Sequence, residues 1–356
     1  MSEETNEKIK LSICIPVYNN LELFENCLNA IAISIRDFEE NVEIVISDNA
    51  SEDSIFDCVN NFKGRHLNIR VLYSSNEYNK GLAFNFHKTV EMSNGKFCWI
   101  IGSDDFVIKD GIASIINIID KYKNIDFISV AFAHLNLKDV YDEKDEDKPY
   151  HRLQEFIQDE SCIRSEVIKN YAKDVVKWDE LVDELYKNVM LGSVMAGVFK
   201  RSLWMSVNRA AMDKSPRFNS VENIYPHCVI YSKCMIGKPS YYISKPVIIV
   251  GDGARQWEGS SFWEGSLPVI YLKVWNEIID AYMNGGLCKI QVFRCRLANG
   301  MLVGRYYYPY FRRKYILKQY IKNSEDISLS VAYKKMWYVP GFYIGLLKGI
   351  IKEYLS

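Results

Sequence analysis

Two adjacent carboxylates, Asp104 and Asp105, follow the uncharged run Phe97-Cys98-Trp99-Ile100-Ile101 and a turn at Gly102-Ser103. The run reads as a buried strand, so the acids stand at its carboxyl end, where an open α/β sheet binds ligands. Neighbouring carboxylates repel unless a proton or a cation relieves them. A hard divalent ion, Mg²⁺ or Mn²⁺, would do so, and such ions arrive bound to phosphate. On its own the pair also describes a plain turn ahead of a helix beginning near Asp110. Two further corners change that balance. Asp48 ends the apolar run Val42–Ser47 and leads into Asn49-Ala50-Ser51-Glu52-Asp53, and Pro16-Val17-Tyr18-Asn19-Asn20 ends the run that starts at Leu11. A proline and a tyrosine offer a flat apolar surface to a base. Asp48 can accept a hydrogen bond from a pyrimidine N–H, and the acid pair with its ion can hold a diphosphate. Together the three corners fit a nucleoside diphosphate laid across strand ends.

Such corners need a sheet to hold them level. Leu11–Tyr18 is a near-continuous apolar run, the mark of an interior parallel strand, and Pro16 is expected to end its ladder for want of an N–H. Asn19 or Asn20 is expected to cap a helix over LELFENCLNAIAISI, with Leu21, Phe24, Leu28 and Ile31 on one face. Val42–Ser47 gives a second strand, and Ser51 a cap with Asp53 in the first turn of the next helix. Asn68–Ser74 gives a third strand, Asn76–Gly81 a polar turn, and Leu82–Met92 a helix that Gly95 ends. Strands and helices alternating through short connections imply right-handed crossovers and a Rossmann-like, mostly parallel α/β sheet with helices on both faces. There is neither G-x-G-x-x-G nor G-x-x-x-x-G-K-[ST], so the sheet is not marked for NAD or a P-loop nucleotide.

Four segments, SICIPVYNN, EIVISDNASED, Asn76…Gly81…Asn85 and WIIGSDDF, stand in an order and at spacings that resemble the nucleotide-binding half of family-two glycosyltransferases of the GT-A fold, over about residues 10–135. The resemblance implies that Pro16, Tyr18 and Asp48 contact the nucleoside, with Asn76 and Gly81 in the same donor site. It puts Asp104 near ribose and diphosphate and makes Asp105 the main metal ligand of an Asp-x-Asp-like motif. Ser103 stands where many members carry the first acid. CWIIGSDD, Tyr225-Pro226-His227 and the segment Tyr242–Asp252 resemble, more narrowly, bacterial abequosyltransferases and related O-antigen or capsule enzymes, over about residues 10–255.

The middle of the chain is read from what such a transfer needs. Asp126–Ala133 reads as a strand, and Gly197–Trp204 as a strand turning into a helix. An inverting sugar transfer needs one base for the acceptor hydroxyl. Glu222 is the sole carboxylate between Asp213 and Asp252, a little over a hundred residues beyond the acid pair, where the resembled enzymes carry theirs. Asp252 is the second candidate. His227 has the chemistry of a base or a metal ligand, though a histidine after proline is more often a packed or capping residue. Gly251–Trp257 reads either as a lid, with Arg255 offsetting diphosphate charge, or as a plain surface loop. The six acids between Asp139 and Asp147 mark an exposed loop, and Glu180, Asp183 and Glu184 the solvated face of a helix.

At 356 residues the length suggests about two domains. Nine cysteines without C-x-x-C spacing read as reduced, buried thiols rather than a zinc site. Met1–Lys10 lacks the apolar core of a secretory signal, and no run reaches the ~18–20 apolar residues of a membrane span. The location expected is cytoplasmic, peripheral at the inner face of the cell membrane. The net charge of −1 conceals a basic end: from Cys288 on there are 13 Lys/Arg against 3 Asp/Glu, a balance of +10. There RYYYPYFRRKYILKQYIK and YKKMWYVPGFYIGLLKGIIKEYL interleave aromatics with cations, as helices on anionic lipid do. A basic-faced bundle packed on the catalytic domain would read the same way. No nucleic-acid-binding motif accompanies the charge, so nucleic acid is not an expected partner.

The expected organisation is a nucleotide-sugar-binding half over 1–135, an acceptor-binding half over 136–267 and a basic helical region over 268–356. The expected activity is inverting, metal-dependent transfer of a sugar, a deoxyhexose by the narrower resemblance, onto a polyprenyl-diphosphate-linked or polysaccharide glycan. A sugar-nucleotide nucleotidyltransferase would want a glycine-rich basic loop after the first strand, where this chain has PVYNN. A non-catalytic, membrane-associated sugar-nucleotide-binding protein is the third reading.

Overall fold

In the computed structural model the described residues are 9–142, 145, 150–159, 164–165, 174–182, 192–208, 220–253, 270–312, 333–334 and 336–355. The chain divides into two units, one of Met1–Leu181 with Ser193–Arg255, the other of Val182–Gly192 with Gln256–Ser356. The first holds a mixed sheet of β1 (Leu11–Val17), β2 (Val42–Asp48), β3 (Arg70–Ser75), β4 (Phe97–Ile100), β5 (Asp105–Val107), β6 (Phe127–Asn136), β7 (Arg164–Ser165), β8 (Val175–Lys177), β9 (Gly197–Lys200) and β10 (Pro239–Asp252). The order is β3-β2-β1-β4-β9-β6-β10-β5, with β7 on β6 and β8 on β10. β1, β2, β3 and β4 pair in parallel, as do β6 and β10. β9 lies antiparallel between β4 and β6, and β5 antiparallel beside β10. Helices α1 (Leu21–Ser34), α2 (Ile55–Arg65), α3 (Leu82–Met92) and α4 (Gly111–Lys121) connect the first strands. β2 and β4 are buried at every position, which explains why their sequences are mostly apolar: both faces of the sheet are covered.

One charge inside that sheet is structural. Glu43 on β2 is fully buried and accepts hydrogen bonds from Ser12 Oγ at 2.7 Å and from the Asn94 backbone N–H at 2.6 Å. It also pairs with Arg70 Nε at 3.1 Å. One carboxylate thereby ties three strands to the α3–β4 turn. Glu43→Ala strands these donors and is expected to cost about 3 kcal/mol, read as a fall in the denaturant midpoint.

Three local expectations are corrected. Pro16 does not end β1: the ladder to β2 runs on to Val17 opposite Asp48, and only the ladder to β4 stops, at Cys14. The missing N–H is not needed on the β2 side. Asn19 and Asn20 do not cap α1 with their side chains; both take left-handed backbone (φ 57° and 61°), which asparagine tolerates. The first turn of α1 is capped from outside, the Leu21 N–H donating to Asp53 Oδ2 at 3.1 Å. Ser51 does not cap α2, which starts at Ile55; its hydroxyl accepts the Asn19 N–H at 2.8 Å. These contacts close the β1 and β2 loops onto each other.

The second unit is helical: a π-helical turn at Ile270–Val274, then helices Trp275–Gly285, Lys289–Phe311 and Pro340–Leu355. Leu272, Val303, Tyr333, Met336 and Phe342 form its buried apolar cluster. Gly286, with φ 109°, closes the helix Trp275–Gly285, the left-handed stop glycine supplies without strain. No helix among the described residues is long and apolar enough to cross a membrane.

Candidate active site

Strand register brings the expected corners level. Val17 lies opposite Asp48, and Asp48 opposite Ser75, so three loops leave the sheet from one line of residues. Tyr18, 37% exposed, is the first residue beyond β1, with Pro16 half-buried behind it.

Asp48 is only 4% exposed. Its Oδ1 accepts the Ser51 N–H at 2.9 Å, and its Oδ2 accepts the Tyr73 hydroxyl at 3.0 Å and Ser75 Oγ at 3.4 Å. A carboxylate has about four acceptor positions, so room for a ligand donor remains. Burial, and after it the Asp48 carboxylate, pushes the Tyr73 phenol up to about 12, so Tyr73 stays a donor at neutral pH.

Beside Asp48 an amide network holds the loop between β3 and α3. Asn49 Oδ1 accepts Asn76 Nδ2 and the Lys80 N–H, each at 3.0 Å, and Asn49 Nδ2 donates to Asn79 Oδ1 at 2.8 Å. Asn79 Oδ1 in turn accepts the Gly81 N–H at 2.9 Å. Asn85 joins the ends of β1 and β2, its Nδ2 donating to Ser47 O at 2.8 Å and its Oδ1 accepting Ser47 Oγ at 2.6 Å. Gly81 has φ 87°, a turn that a side chain would strain. Asn76 and Gly81 are thus built into the rim. Asn49, Asn79 and Tyr73, which motif reading passed over, hold it; the cue was a run of amides at strand ends, where a buried amide must find partners.

The acid pair straddles the start of β5: Asp104 ends the turn and Asp105 is the strand's first residue. Asp105 is 6% exposed and its Oδ2 accepts the Gly102 N–H at 2.9 Å. A Cβ added to Gly102 would lie 2.5 Å from Asp104 Oδ1 and 2.9 Å from Asp105 Oδ2. Both carboxylates therefore converge over a residue that has no side chain. Cys27, beneath the turn, registers the same charge: burial first, then Asp105 and Asp104, pushes its thiol well above the usual range. No group of three or more His, Cys, Asp or Glu side chains converges among the described residues. A pair fits a Mg²⁺- or Mn²⁺-type ion, which takes one or two carboxylates and completes its shell with water and phosphate.

β5 escaped sequence reading and matters most for placement. It pairs Asp105 with Val250 of β10. Beyond that pair, a Cβ on Gly251 would lie 2.6 Å from the Asp104 carbonyl oxygen. Asp252 is the next residue, and its Oδ1 lies 3.1 Å from Nδ1 of His134 on β6. His134 was missed because the expected strand stopped one residue short of it.

Glu222 is half-buried on the short helix Val221–Ile224, which packs against α3. His227 is 2% exposed among aromatic rings, with ring centroids of Tyr231, Tyr225 and Phe86 at 5.7, 6.1 and 6.4 Å. Neither ring nitrogen has a hydrogen-bond partner among the described residues, and burial lowers its pKa to about 3, so it is neutral at physiological pH. That environment is a packed histidine's. Arg255, Asp183, Glu184 and most of the acidic run after Asp139 lie outside the described residues. A cavity of about 520 Å³ between the far ends of α1 and α2, lined by Arg36, Arg65 and His66, lies at the opposite edge of the sheet.

The comparisons agree with this geometry. Residues 12–176 match the model of glycosyl transferase family 2. The abequosyltransferase RfbV of Salmonella typhimurium is 37% identical over 115 residues, 32% of this chain and 34% of that protein. A poly(ribitol-phosphate) beta-glucosyltransferase of Bacillus spizizenii is 30% identical over 100 residues, 28% of this chain and 15% of that protein. The chain thus spans about a third of the length of the first of these curated relatives and 15% of the second. Among solved structures, S. aureus TarS 1-349 in complex with UDP superposes with a TM-score of 0.54 at 14% identity, covering 89% of this chain and 77% of that one. The mannosyltransferase PcManGT of Pyrobaculum calidifontis, in complex with GDP-Man and Mn²⁺, does so at 0.51 and 12%, covering 97% and 88%. At such identities the superposition speaks for the fold alone, and that fold is the GT-A arrangement. Over residues 12–176, a little under half of the chain, the sequence is thus similar to glycosyl transferase family 2.

Proposed function

We propose that the chain is an inverting, metal-dependent glycosyltransferase that moves a sugar, a deoxyhexose by analogy with the abequosyltransferase, from a nucleotide donor to a glycan acceptor of surface polysaccharide synthesis. The acceptor is proposed to be linked to a polyprenyl diphosphate, and the protein to work at the inner face of the cell membrane. The observation that carries the reading is the convergence of Asp104 and Asp105 over Gly102, on the same sheet edge as the Tyr18–Asp48 rim. Tyr18 stacks the base, and Asp48 with the Asn49–Asn76 network shapes the nucleoside pocket. Asp105, with Asp104, would hold a Mn²⁺ or Mg²⁺ ion, which when bound supplies positive charge against the departing diphosphate.

In the transfer the acceptor oxygen bonds to the anomeric carbon while the bond from that carbon to the diphosphate oxygen breaks. The acceptor proton goes to a carboxylate. Asp252 is favoured because its neighbour Gly251 abuts the Asp104 backbone and because His134 orients its carboxylate. Glu222 is the alternative base.

A thermal-shift screen of nucleoside diphosphates with and without Mn²⁺ tests the reading. One base is expected to stabilise the protein by about 3 kcal/mol at a hundredfold excess over its Kd, and only with Mn²⁺ present. No shift with any nucleoside diphosphate in Mn²⁺ would overturn it, and a response to triphosphates alone would point to nucleotidyl transfer.

A further inference from the structure

The helices Lys289–Phe311 and Pro340–Leu355 meet through glycines spaced four apart: Gly300 and Gly304 on one, Gly341, Gly345 and Gly349 on the other. A Cβ at Gly304 would strike the Phe342 carbonyl, one at Gly341 the Leu297 carbonyl and one at Gly345 the Met301 carbonyl. At Gly349 it would lie 2.6 Å from the Arg305 carbonyl oxygen. The backbones are therefore in near contact, as in the small-xxx-small packing of helices in lipid.

This seam fixes the rotation of Pro340–Leu355. At about 100° per residue, the side opposite the glycines carries Tyr343, Ile344, Leu347 and Ile351, which are 55%, 47%, 59% and 48% exposed. Lys348, exposed, stands about 40° beyond Ile344 at one edge of this stripe, and Lys352, also exposed, lies one turn further on, toward the glycine side. Trp337 and Tyr338, 49% and 91% exposed, stand just before the helix.

We propose that this stripe is a docking face for an anionic lipid bilayer, with the helix lying in the plane of the interface. The 16-residue helix is about 24 Å long, short of the ~30 Å hydrocarbon core, so it lies on the membrane rather than spanning it. Tyrosine and tryptophan at its start suit the headgroup level. Lys348 at one edge and Lys352 at the helix's last turn suit anionic lipid, and the balance of +10 from Cys288 onward adds to the attraction. A second copy of the chain fits less well, because the stripe carries no acid to meet Lys348 and Lys352. The inference rests on, and sharpens, the membrane partner of the proposed function, but its test reads binding alone.

The test is co-sedimentation of the full chain with phosphatidylcholine vesicles, with and without phosphatidylglycerol. The parent is expected to bind the anionic vesicles at least tenfold more tightly, and less so as salt rises from about 0.1 to about 1 M. Lys348→Glu/Lys352→Glu is expected to lower that affinity at least tenfold, from about fivefold per lysine charge. Leu347→Ser/Ile351→Ser is expected to lose binding while keeping helix content and the nucleotide-dependent thermal shift. Equal binding to neutral and anionic vesicles, or parental binding by the serine variant, overturns the proposal. So does a vesicle-free dimer that the serine variant abolishes without any loss of lipid binding. An absent nucleotide shift in the parent would undo the glycosyltransferase reading and leave this one standing.

Discussion

Asp105→Asn is expected to fold like the parent and to release nucleoside diphosphate from its donor at least a hundredfold more slowly. The two halves of that expectation come from two roles of one side chain. The Asp105 Oδ2 atom accepts the Gly102 N–H at 2.9 Å, and an asparagine amide oxygen can accept it as well. The turn that holds Asp104 beside it is then preserved, and unfolding temperature should move little. What asparagine lacks is the negative charge, and with it the cation-holding role proposed for Asp105 against the leaving diphosphate. Removing one preorganised electrostatic partner of a transition state typically costs 10²–10³ in rate. Asp105→Ala deletes both roles and should lose stability as well, so the asparagine variant is the cleaner measurement. The readout is donor-dependent release of nucleoside diphosphate with Mn²⁺, beside a melting curve. A parental rate in Asp105→Asn removes the metal role, whatever Asp105→Ala does. A low rate accompanied by a large fall in unfolding temperature would assign Asp105 to the turn instead.

The parts of this site that were legible in the chain are those encoded in contiguous residues. β1, β2 and β4 announce themselves as mostly apolar runs because both sheet faces are covered there. Their ends announce Tyr18, Asp48 and the acid pair. What was not legible depends on residues far apart in sequence. Gly197–Lys200 reads locally as a strand, but nothing local says that it enters antiparallel between β4 and β6. β5 is three residues long, and its partner Val250 lies well over a hundred positions away. No periodicity can reveal it, yet that pairing brings Gly251 against the backbone of Asp104. Caps went astray for the same reason. Serine and asparagine at the right offset predicted local capping, while the carboxylate that serves α1 is Asp53, beyond the next strand. His134 illustrates a boundary error with a functional cost, since one more residue of strand would have set it beside Asp252.

The glycine seam was in plain view, because Gly300-xxx-Gly304 and Gly341-xxx-Gly345-xxx-Gly349 are sequence patterns. Gly345→Ala tests the seam with an opposed sign. In a helix exposed to water, alanine is better than glycine by about 1 kcal/mol, so an unconstrained Gly345 predicts stabilisation. In the seam the new Cβ meets the Met301 carbonyl, backbone that cannot swing aside as a flexible side chain would. The helices must then separate along their length, and the Phe342 ring, packed 5.3 Å from Tyr307 between centroids, must follow. Overpacking of this kind costs about 1–3 kcal/mol and occasionally more, which outweighs the gain in propensity. Gly345→Leu, with three more carbons to place, is expected to abolish the pairing of the two helices. The measurements are loss of helical circular dichroism on heating and the rate of proteolysis within the second unit. Both should worsen from parent to alanine to leucine. Vesicle binding should fall in the same order, because the glycines set which side of Pro340–Leu355 faces outward. A Gly345→Ala variant more stable than the parent would mean that the two backbones do not approach as closely as the seam requires, and the outward stripe would lose its fixed orientation with it.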